Sequence, residues 1–200
     1  MQRAGVPVVT IDRRVQDFTG DTVTVDNPMV GRLAAEHLLE EGCRQPAVVS
    51  GPATVSSTRD RQQEFCRVFA EAGLPIPPGR LLHQDLRARN AESAVVGLLR
   101  SHPEIDAIFS TNGPLTSSTF LALRDEGRLI PGEVALVGVD DDHWTRMVTP
   151  QVSVVAQPIN QLGAWAGQLL TARARNQELE HARVMLDPVL QVRGSSLRSR

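Results

Sequence analysis

The stretch Val134-Ala135-Leu136-Val137-Gly138-Val139-Asp140-Asp141-Asp142 decides the fold, because it joins a short apolar run to three consecutive carboxylates. It follows Ile130-Pro131-Gly132, and a Val-rich run of this length between turn residues indicates a strand buried on both faces, as in a parallel sheet. Acids after such a strand lie at its carboxyl end, where open α/β sheets bind ligands. Asp140 is therefore a candidate binding residue, with the alternative that the three aspartates only cap a turn or the next segment.

Strand-like and helix-like segments alternate along the rest of the chain. Residues 6–11, 47–50 and 107–109 have the apolar character of strands, and apolar residues at helical spacing follow Pro28. This alternation predicts βαβ units and hence an α/β fold with parallel sheets. A last strand is predicted near residues 184–192, followed by a frayed tail.

Composition excludes several classes of function. The 200 residues are 41% hydrophobic and 22% charged, which is typical of a soluble globular protein of one or two domains. A net charge of -2 lacks the basic surface of a nucleic-acid-binding domain, and we find no signal peptide or membrane-spanning run. All 21 basic residues are arginine, which excludes Schiff-base lysine chemistry and the P-loop lysine. Cys43 and Cys66, without CxxC spacing, are predicted to be reduced thiols of a cytoplasmic protein.

Several polar residues share one kind of position, just after a predicted strand or in the first turn of the next helix. Such residues point toward the carboxyl-end crevice of the sheet, and their types suit a neutral, hydroxyl-rich ligand. Taken singly, each has a simpler interpretation, such as a surface salt bridge for the arginine or a turn for the glutamine. Their convergence makes them candidates; they are Asp12, Ser57, Arg61, Asn112, Asp140 and Gln157.

Catalytic alternatives have weaker support. A GxSxG elbow is absent, and the five histidines are scattered without metal-ligand spacing. Asp140, Asp141 and Asp142 could hold Mg²⁺, but the lysine or Gly-rich phosphate cradle of phosphoryl-transfer sites is missing. We therefore predict a non-enzyme without metal or cofactor, while a sugar hydrolase using Asp140 and Asp12 stays an alternative. Trp144 and Trp165 are predicted to be packing residues.

Specific motifs over nearly the whole chain resemble the effector-binding domain of the LacI/GalR (lactose-repressor/galactose-repressor) family of bacterial transcription factors. The resemblance implies a two-lobed, periplasmic-binding-protein-like fold, with parallel sheets flanked by helices, that closes on a sugar or nucleobase effector. The motifs include Val8-Val9-Thr10-Ile11-Asp12-Arg13, Val25-Asp26-Asn27 with Gly31, Glu36-His37-Leu38-Leu39-Glu40-Glu41-Gly42, Ser50-Gly51-Pro52, Arg61 with Phe65, Ala107-Ile108-Phe109-Ser110-Thr111-Asn112, Ile130-Pro131-Gly132-Glu133-Val134, Val137-Gly138-Val139-Asp140-Asp141 and Gln157-Pro158.

The resemblance also implies roles for the polar set. The arginine with which family members grip the effector falls on Arg61, and a serine four residues earlier falls on Ser57. The asparagine after the Ile-Phe strand, the aspartate of Val-Gly-x-Asp, the glutamine before the crossover proline and the acid after the first strand fall on Asn112, Asp140, Gln157 and Asp12. The chain would be the sensor of a cytoplasmic, homodimeric regulator without contact to a membrane.

The sequence departs from the family pattern at three places. Gly113 stands where an acid commonly follows the asparagine, and Leu86 stands where an aromatic often follows an acid, here Asp85. Both departures put the identity of the effector in doubt. The helix-turn-helix headpiece, the hinge helix and the first βα units are not found before Met1, so operator DNA would be bound only through that missing headpiece.

The expected domains follow from these departures. Residues 1–50 with 159–183 are predicted to form a partial N-terminal lobe, whose open strand edge and uncovered apolar surface need a partner chain or other packing. Residues 51–158 with 184–193 are predicted to form a complete C-terminal lobe, and residues 194–200 a tail. The alternative function is a solute-binding protein of a transporter, which shares the fold but would carry an apolar leader.

Overall fold

The computed structural model describes residues 6–15, 17–85, 91–175 and 180–198. By contacts the chain divides into two units, Met1–Asp26 with Gln157–Pro188 and Asn27–Ala156 with Val189–Arg200. None of the helices in the described ranges is both long and apolar enough to span a membrane. The elements are β1 (Val9–Asp12), β2 (Asp21–Val25), α1 (Asn27–Glu40), β3 (Pro46–Ser50), α2 (Ser56–Glu71), β4 (Leu81–His83), α3 (Ala91–Ser101), β5 (Ala107–Ser110), α4 (Gly113–Asp125), β6 (Ala135–Val139), α5 (His143–Met147), β7 (Ser153–Ala156), α6 (Ile159–Ala174), β8 (Arg183–Leu186) and β9 (Val189–Gln191).

The larger unit is built on a six-stranded sheet in the order β4-β3-β5-β6-β7-β9. All neighbouring strands are parallel except β7 and β9, which run antiparallel. Every residue of β3, β5 and β6 is buried, which confirms the prediction that the stretch ending at Asp140 is a strand covered on both faces. The carboxyl ends of these strands consequently lie side by side at one edge of the sheet.

Helices cover both faces of this sheet, and alternate strand residues show which helices cover which face. Phe109 of β5 stacks on Phe65 of α2 with ring centroids 4.8 Å apart. The preceding residue, Ile108, belongs instead to the cluster formed with residues of α3 and α4 such as Leu99 and Leu123. Helices α1 and α2 therefore share one face, and α3 and α4 share the other.

The smaller unit has a three-stranded parallel sheet in the order β1-β2-β8. Val23 and Val25 of β2 are buried, and in the part of the unit that the structure describes, α6 packs on the sheet. Ile159 and Met185 remain 63% exposed. These exposed side chains agree with the uncovered apolar surface predicted for this lobe.

The division by contacts differs from the predicted domains at several places, including Gln157 and Pro158, which were predicted in the C-terminal lobe but belong to the smaller unit. Residues 27–50, predicted to lie in the first lobe, belong to the larger unit, because β3 pairs with β4 and β5 and α1 packs against α2. The single strand predicted near residues 184–192 consists of two strands on either side of Pro188. The first of them, β8, pairs with β2 in the smaller unit, whereas β9 pairs with β7 in the larger unit.

The prediction of a frayed tail at residues 194–200 is wrong for the residues that the structure describes there. Ser195 and Ser196 are fully buried. The Ser195 Oγ donates a hydrogen bond to the Leu136 carbonyl at 2.6 Å, and the Ser196 Oγ lies 2.6 Å from His37 Nε2. The segment is therefore part of the core of the larger unit, and its polar composition reflects these internal hydrogen bonds.

The two tryptophans differ in their environments. Trp144 packs at 5.9 Å from Phe120, which confirms its predicted packing role. Trp165 on α6 is 42% exposed, so the same prediction is wrong for Trp165 within this chain. Leu162 is the buried residue of α6, and Trp165 lies on the exposed part of that helix.

Candidate functional site

Four of the six candidate residues lie at the carboxyl edge of the larger sheet. Ser57 and Arg61 are on α2, which follows β3, whereas Asn112 follows β5 and Asp140 follows β6. Because β3, β5 and β6 are adjacent in the sheet, their carboxyl ends bring these four residues to one region. Ser57 is 4% exposed and lies one helical turn before Arg61, so both side chains are on the same face of α2.

Arg61 is a buried cation whose guanidinium group is held by hydrogen bonds. The side chain is 3% exposed, its Nε donates to Asn27 Oδ1 at 2.7 Å, and its Nη1 donates to the Thr111 carbonyl at 2.8 Å. The alternative that Arg61 is a surface salt-bridge residue is therefore wrong. A buried guanidinium needs such partners, because a charge without them is costly inside a protein.

Gly31 allows the contact between α1 and α2 on which this arrangement depends. A Cβ atom at Gly31 would lie 2.1 Å from the Arg61 carbonyl oxygen, so the two helices approach each other closely at this point. This close approach places Asn27, at the start of α1, within hydrogen-bond distance of the Arg61 side chain. A larger residue at position 31 would displace Arg61 from the edge of the sheet.

Asn112 presents a buried donor at this edge. Its Oδ1 caps α4 by accepting a hydrogen bond from the Leu115 amide at 3.0 Å, which identifies the other amide atom as Nδ2. Within the described residues, Nδ2 is buried without a hydrogen-bond partner. A buried, unsatisfied donor costs about 1–3 kcal/mol, and a ligand oxygen would remove that cost.

Asp140 follows β6, and its side chain contacts the start of α4. Its φ of 74° lies in the left-handed region of backbone conformation, which residues other than glycine rarely adopt. Its Oδ2 accepts a hydrogen bond from the Gly113 amide at 3.2 Å. The carboxylate thus lies at the N-terminus of α4, where the helix dipole favours negative charge. A Cβ at Gly113 would lie 3.1 Å from Asp142 Oδ2 and 3.2 Å from Asp140 Oδ2, so a bulkier residue would crowd both acids.

Asp141 has a different environment from Asp140. Its Oδ1 accepts from Arg193 Nη2 at 2.6 Å, and its carboxylate also pairs with Arg146. The hydrogen bond from Arg146, followed by that from Arg193, holds the pKa of Asp141 below its ordinary value against the opposite effect of burial. Two arginines therefore neutralise the middle acid, and in the described part of the chain no cluster of three or more metal-ligating side chains is found.

The remaining candidates belong to the smaller unit. Asp12 ends β1 with a φ of 69°, the same left-handed conformation that Asp140 adopts after β6. Gln157 precedes α6, and its carbonyl accepts a hydrogen bond from the Ile159 amide at 2.9 Å. That both contact the same ligand as the other four stays a prediction. Leu86, the position of the missing aromatic, lies outside the described residues.

The thiols do not add a nucleophile to this arrangement. Both cysteines are free, and burial raises the pKa of Cys43 and of Cys66 to about 11. A thiol with such a pKa is protonated at neutral pH and reacts poorly. The groups at the edge of the sheet can form hydrogen bonds, because Arg61 and Asn112 supply donors and Asp140 supplies an acceptor.

The sequence interpretation missed two partners of the site. The Oδ1 of Asn27 accepts a hydrogen bond from the Arg61 side chain, which lies 34 residues further along the chain. Thr111 contributes a backbone carbonyl, which no side-chain pattern can reveal. The spacing of Asn27 and Gly31, one helical turn apart, was the available signal for a helix face in close contact with a neighbour.

Comparison with known proteins supports one family. Residues 35–196 match the family described as periplasmic binding protein-like domain. The ribose operon repressor of Halalkalibacterium halodurans is 31% identical over 192 residues, which are 96% of this chain and 57% of that protein. The transcriptional regulator CelR of Thermobifida fusca is 29% identical over 98% of this chain and 58% of its own length. The chain thus spans less than two thirds of these relatives.

Solved structures agree with the sequence comparison. A complex of the transcriptional regulator CelR with cellobiose superposes with a TM-score of 0.89 at 29% identity, over 96% of this chain and 59% of that one. A LacI-family regulatory protein from Chloroflexus aggregans superposes with a TM-score of 0.87 at 28% identity, over 98% of this chain and 70% of that one. The chain belongs to the periplasmic binding protein-like domain family, and it is similar to transcriptional regulators that include LacI-family proteins.

Proposed function

We propose that the chain is the effector-binding domain of a transcriptional regulator and that it binds a small sugar at the carboxyl edge of the larger sheet. The observation that carries the proposal is the buried, unsatisfied Nδ2 of Asn112. Asn112 follows β5, the strand between β3 and β6; Arg61 is on the helix after β3, and Asp140 follows β6. A sugar hydroxyl can accept from Asn112 and donate to the carboxylate of Asp140. Similarity to a ribose operon repressor and to a regulator solved with cellobiose supports a sugar over a nucleobase.

We further propose that Asp12 and Gln157 complete the binding site and that the whole regulator is a cytoplasmic homodimer. In the whole regulator, effector binding would change the affinity of a DNA-binding headpiece for its operator; the chain spans 57% of the length of the ribose repressor. Such coupling is typically worth about 1–3 kcal/mol, set by the difference in effector affinity between two states. The named relatives are regulators and repressors, which favours this function over a transporter component and over an enzyme.

Titration calorimetry with D-ribose, cellobiose and D-xylulose tests the binding site. The variant Asn112→Ser keeps an oxygen that can cap α4 but lacks the Nδ2 amide group, so the effector affinity should fall about threefold to tenfold while the melting temperature changes little. Ser118→Ala on the exposed face of α4, whose hydroxyl donates to the Pro114 carbonyl at 3.2 Å, is the matched control and should keep the wild-type affinity. Equal affinities for wild type and Asn112→Ser would refute the proposed contact.

Replacing Arg61 is a stronger test of the binding site, but it is also expected to lower the stability of the protein. Arg61→Met should abolish measurable sugar binding, and it should also lower stability because Asn27 Oδ1 and the Thr111 carbonyl lose their donors. Arg59→Met on the same helix, where Arg59 pairs with its neighbour Asp60, should leave both properties close to wild type.

A further inference from the structure

The last segment of the chain is tied to the loop that carries the site's acids. Arg193 Nη2 donates to Asp141 Oδ1 at 2.6 Å. Its Nη1 donates to the Val152 carbonyl at 2.9 Å and to Thr145 Oγ1 at 3.0 Å. One guanidinium therefore connects the loop after β6 with α5 and with the residue before β7.

Arg193 is itself firmly held. Its amide donates to Ser153 Oγ at 2.7 Å, and the same hydroxyl donates to the Arg193 carbonyl at 2.9 Å. Two residues later, Ser195 bonds to Leu136 of β6 through its side chain and its carbonyl. The arginine thus extends from an anchored backbone, and its side chain can restrain the loop.

The two arginines that pair with Asp141 are not equivalent. The side chains of Arg193 and Asp141 are 13% and 18% exposed, whereas Arg146 is 57% exposed. Pairs close to solvent are screened by salt and contribute little, but shielded pairs are screened much less. Arg193 is therefore the partner that can fix the position of Asp141.

Asp140 needs such a restraint because its backbone is strained. A non-glycine residue at a φ of 74° persists where the surrounding structure holds both of its flanks. Strand β6 holds the residue before it, and the amide of Asp140 donates to the Val155 carbonyl at 3.2 Å. On the other flank, the next residue is Asp141.

We propose that Arg193 is a positioning residue of the effector site: by holding Asp141, it keeps the Asp140 carboxylate on the Gly113 amide and in place for the ligand. The effect on binding rests on the proposed function of Asp140. The effect on the contact between Asp140 and Gly113 does not, because that contact joins two groups of this chain. The C-terminal segment would thus act on the effector site through Asp141.

The test compares Arg193→Met with Arg198→Met in the 200-residue chain. Arg198 is the matched control, because it lies in the same segment and its Nη2 donates to the carbonyls of Asp106 and Glu133, each at 2.9 Å, at the opposite edge of the sheet. The readouts are the Gly113 amide resonance in a ¹H–¹⁵N spectrum without effector, and the calorimetric affinities for D-ribose and cellobiose.

Both variants should lower the melting temperature, but only Arg193→Met should move the Gly113 amide proton upfield and weaken sugar binding, by about tenfold. Arg193→Lys, which keeps a charge beside Asp141 but loses the planar fork, should give an intermediate shift and serves as the test if Arg193→Met does not fold. A wild-type Gly113 resonance in Arg193→Met, or an equal shift in Arg198→Met, would overturn the proposal. A shifted resonance in a protein whose wild type binds neither sugar would support the positioning role and refute D-ribose and cellobiose as effectors.

Discussion

Both sheets of this protein consist mainly of parallel strands, yet they bury their residues very differently. Strands β3, β5 and β6 of the larger sheet are buried at every residue, whereas β8 of the smaller sheet alternates between exposed and half-buried residues. Parallel strands need helices on both faces, and the larger unit supplies them. In the described part of the smaller unit, α6 packs against the sheet, and Leu162 is the buried residue of that helix.

The smaller unit depends instead on a buried ion pair. Asp21 at the start of β2 is 1% exposed, and it accepts hydrogen bonds from Arg173 of α6 at 2.6 and 3.0 Å and from the Ala182 amide at 2.8 Å. These bonds connect the helix, the middle strand and the residue before β8. The comparison teaches that one unit is stabilised by its apolar core and the other by a few polar contacts, so the second should open more readily.

The largest expected effect is the loss of a core aromatic in the larger unit. Phe65→Ala should destabilise that unit by about 3–5 kcal/mol, because Phe65 is fully buried and stacks on Phe109. Met185→Gln on the exposed face of β8 should change stability by no more than about 0.5 kcal/mol. Urea unfolding followed by circular dichroism measures both. A comparable loss for Met185→Gln would mean that another surface covers β8 in solution.

A smaller effect is expected from the ion pair of the smaller unit. Asp21→Asn should cost about 2 kcal/mol, because Arg173 then loses a charged hydrogen-bond partner in a buried setting. Hydrogen exchange should show faster exchange of amides in β2 and β8 but unchanged exchange in β5 and β6. The exposed acid Asp187, in the same unit, provides the control variant Asp187→Asn. Equal acceleration in both sheets would show that the units unfold together.

The smallest expected effect is the dependence of the smaller unit on pH. The hydrogen bond from Arg173 is the main reason that the pKa of Asp21 lies below its ordinary value of 3.8. The stabilisation of the smaller unit by the ionised Asp21 is fully present above the pKa that Asp21 has in the unfolded chain. It is lost as the pH falls through the lower pKa of Asp21 in the folded protein, because the unfolded chain binds the proton more readily. Hydrogen exchange between about pH 6 and pH 3 should show this loss in β2 and β8. If the Asp21→Asn variant lost the same amount of stability over this pH range, the pH dependence would come from groups other than Asp21.

Much of the fold could be predicted because it depends on short-range patterns. The strand at residues 134–139 was predicted from a Val-rich run bounded by turn residues, and the structure confirms β6 there. The division into units was harder to predict. Proline at position 188 separates two strands that together have the length of one, and their membership in different sheets depends on partners far away in the chain.

The candidate site shows the same limit. Arg61, Asn112 and Asp140 were chosen because each follows a strand, and the order of the sheet places them side by side. The sequence did not reveal that Asn27 holds Arg61 or that Arg193 holds Asp141, since these pairs are separated by 34 and 52 residues. Polar residues near the C-terminus look like a solvated tail until the core that they enter is known.

The amino-acid sequence by itself determined the order of strands and helices and the polar residues at the strand ends, because hydrophobic periodicity and turn chemistry act between neighbours in the chain. Only the tertiary structure decided which of those residues are restrained and which donor is unsatisfied. Hydrogen bonds such as those of Arg61, Asn112 and Arg193 form between groups that the packing of the sheet and helices brings together. Their strength depends on burial, which no local pattern in this chain encodes.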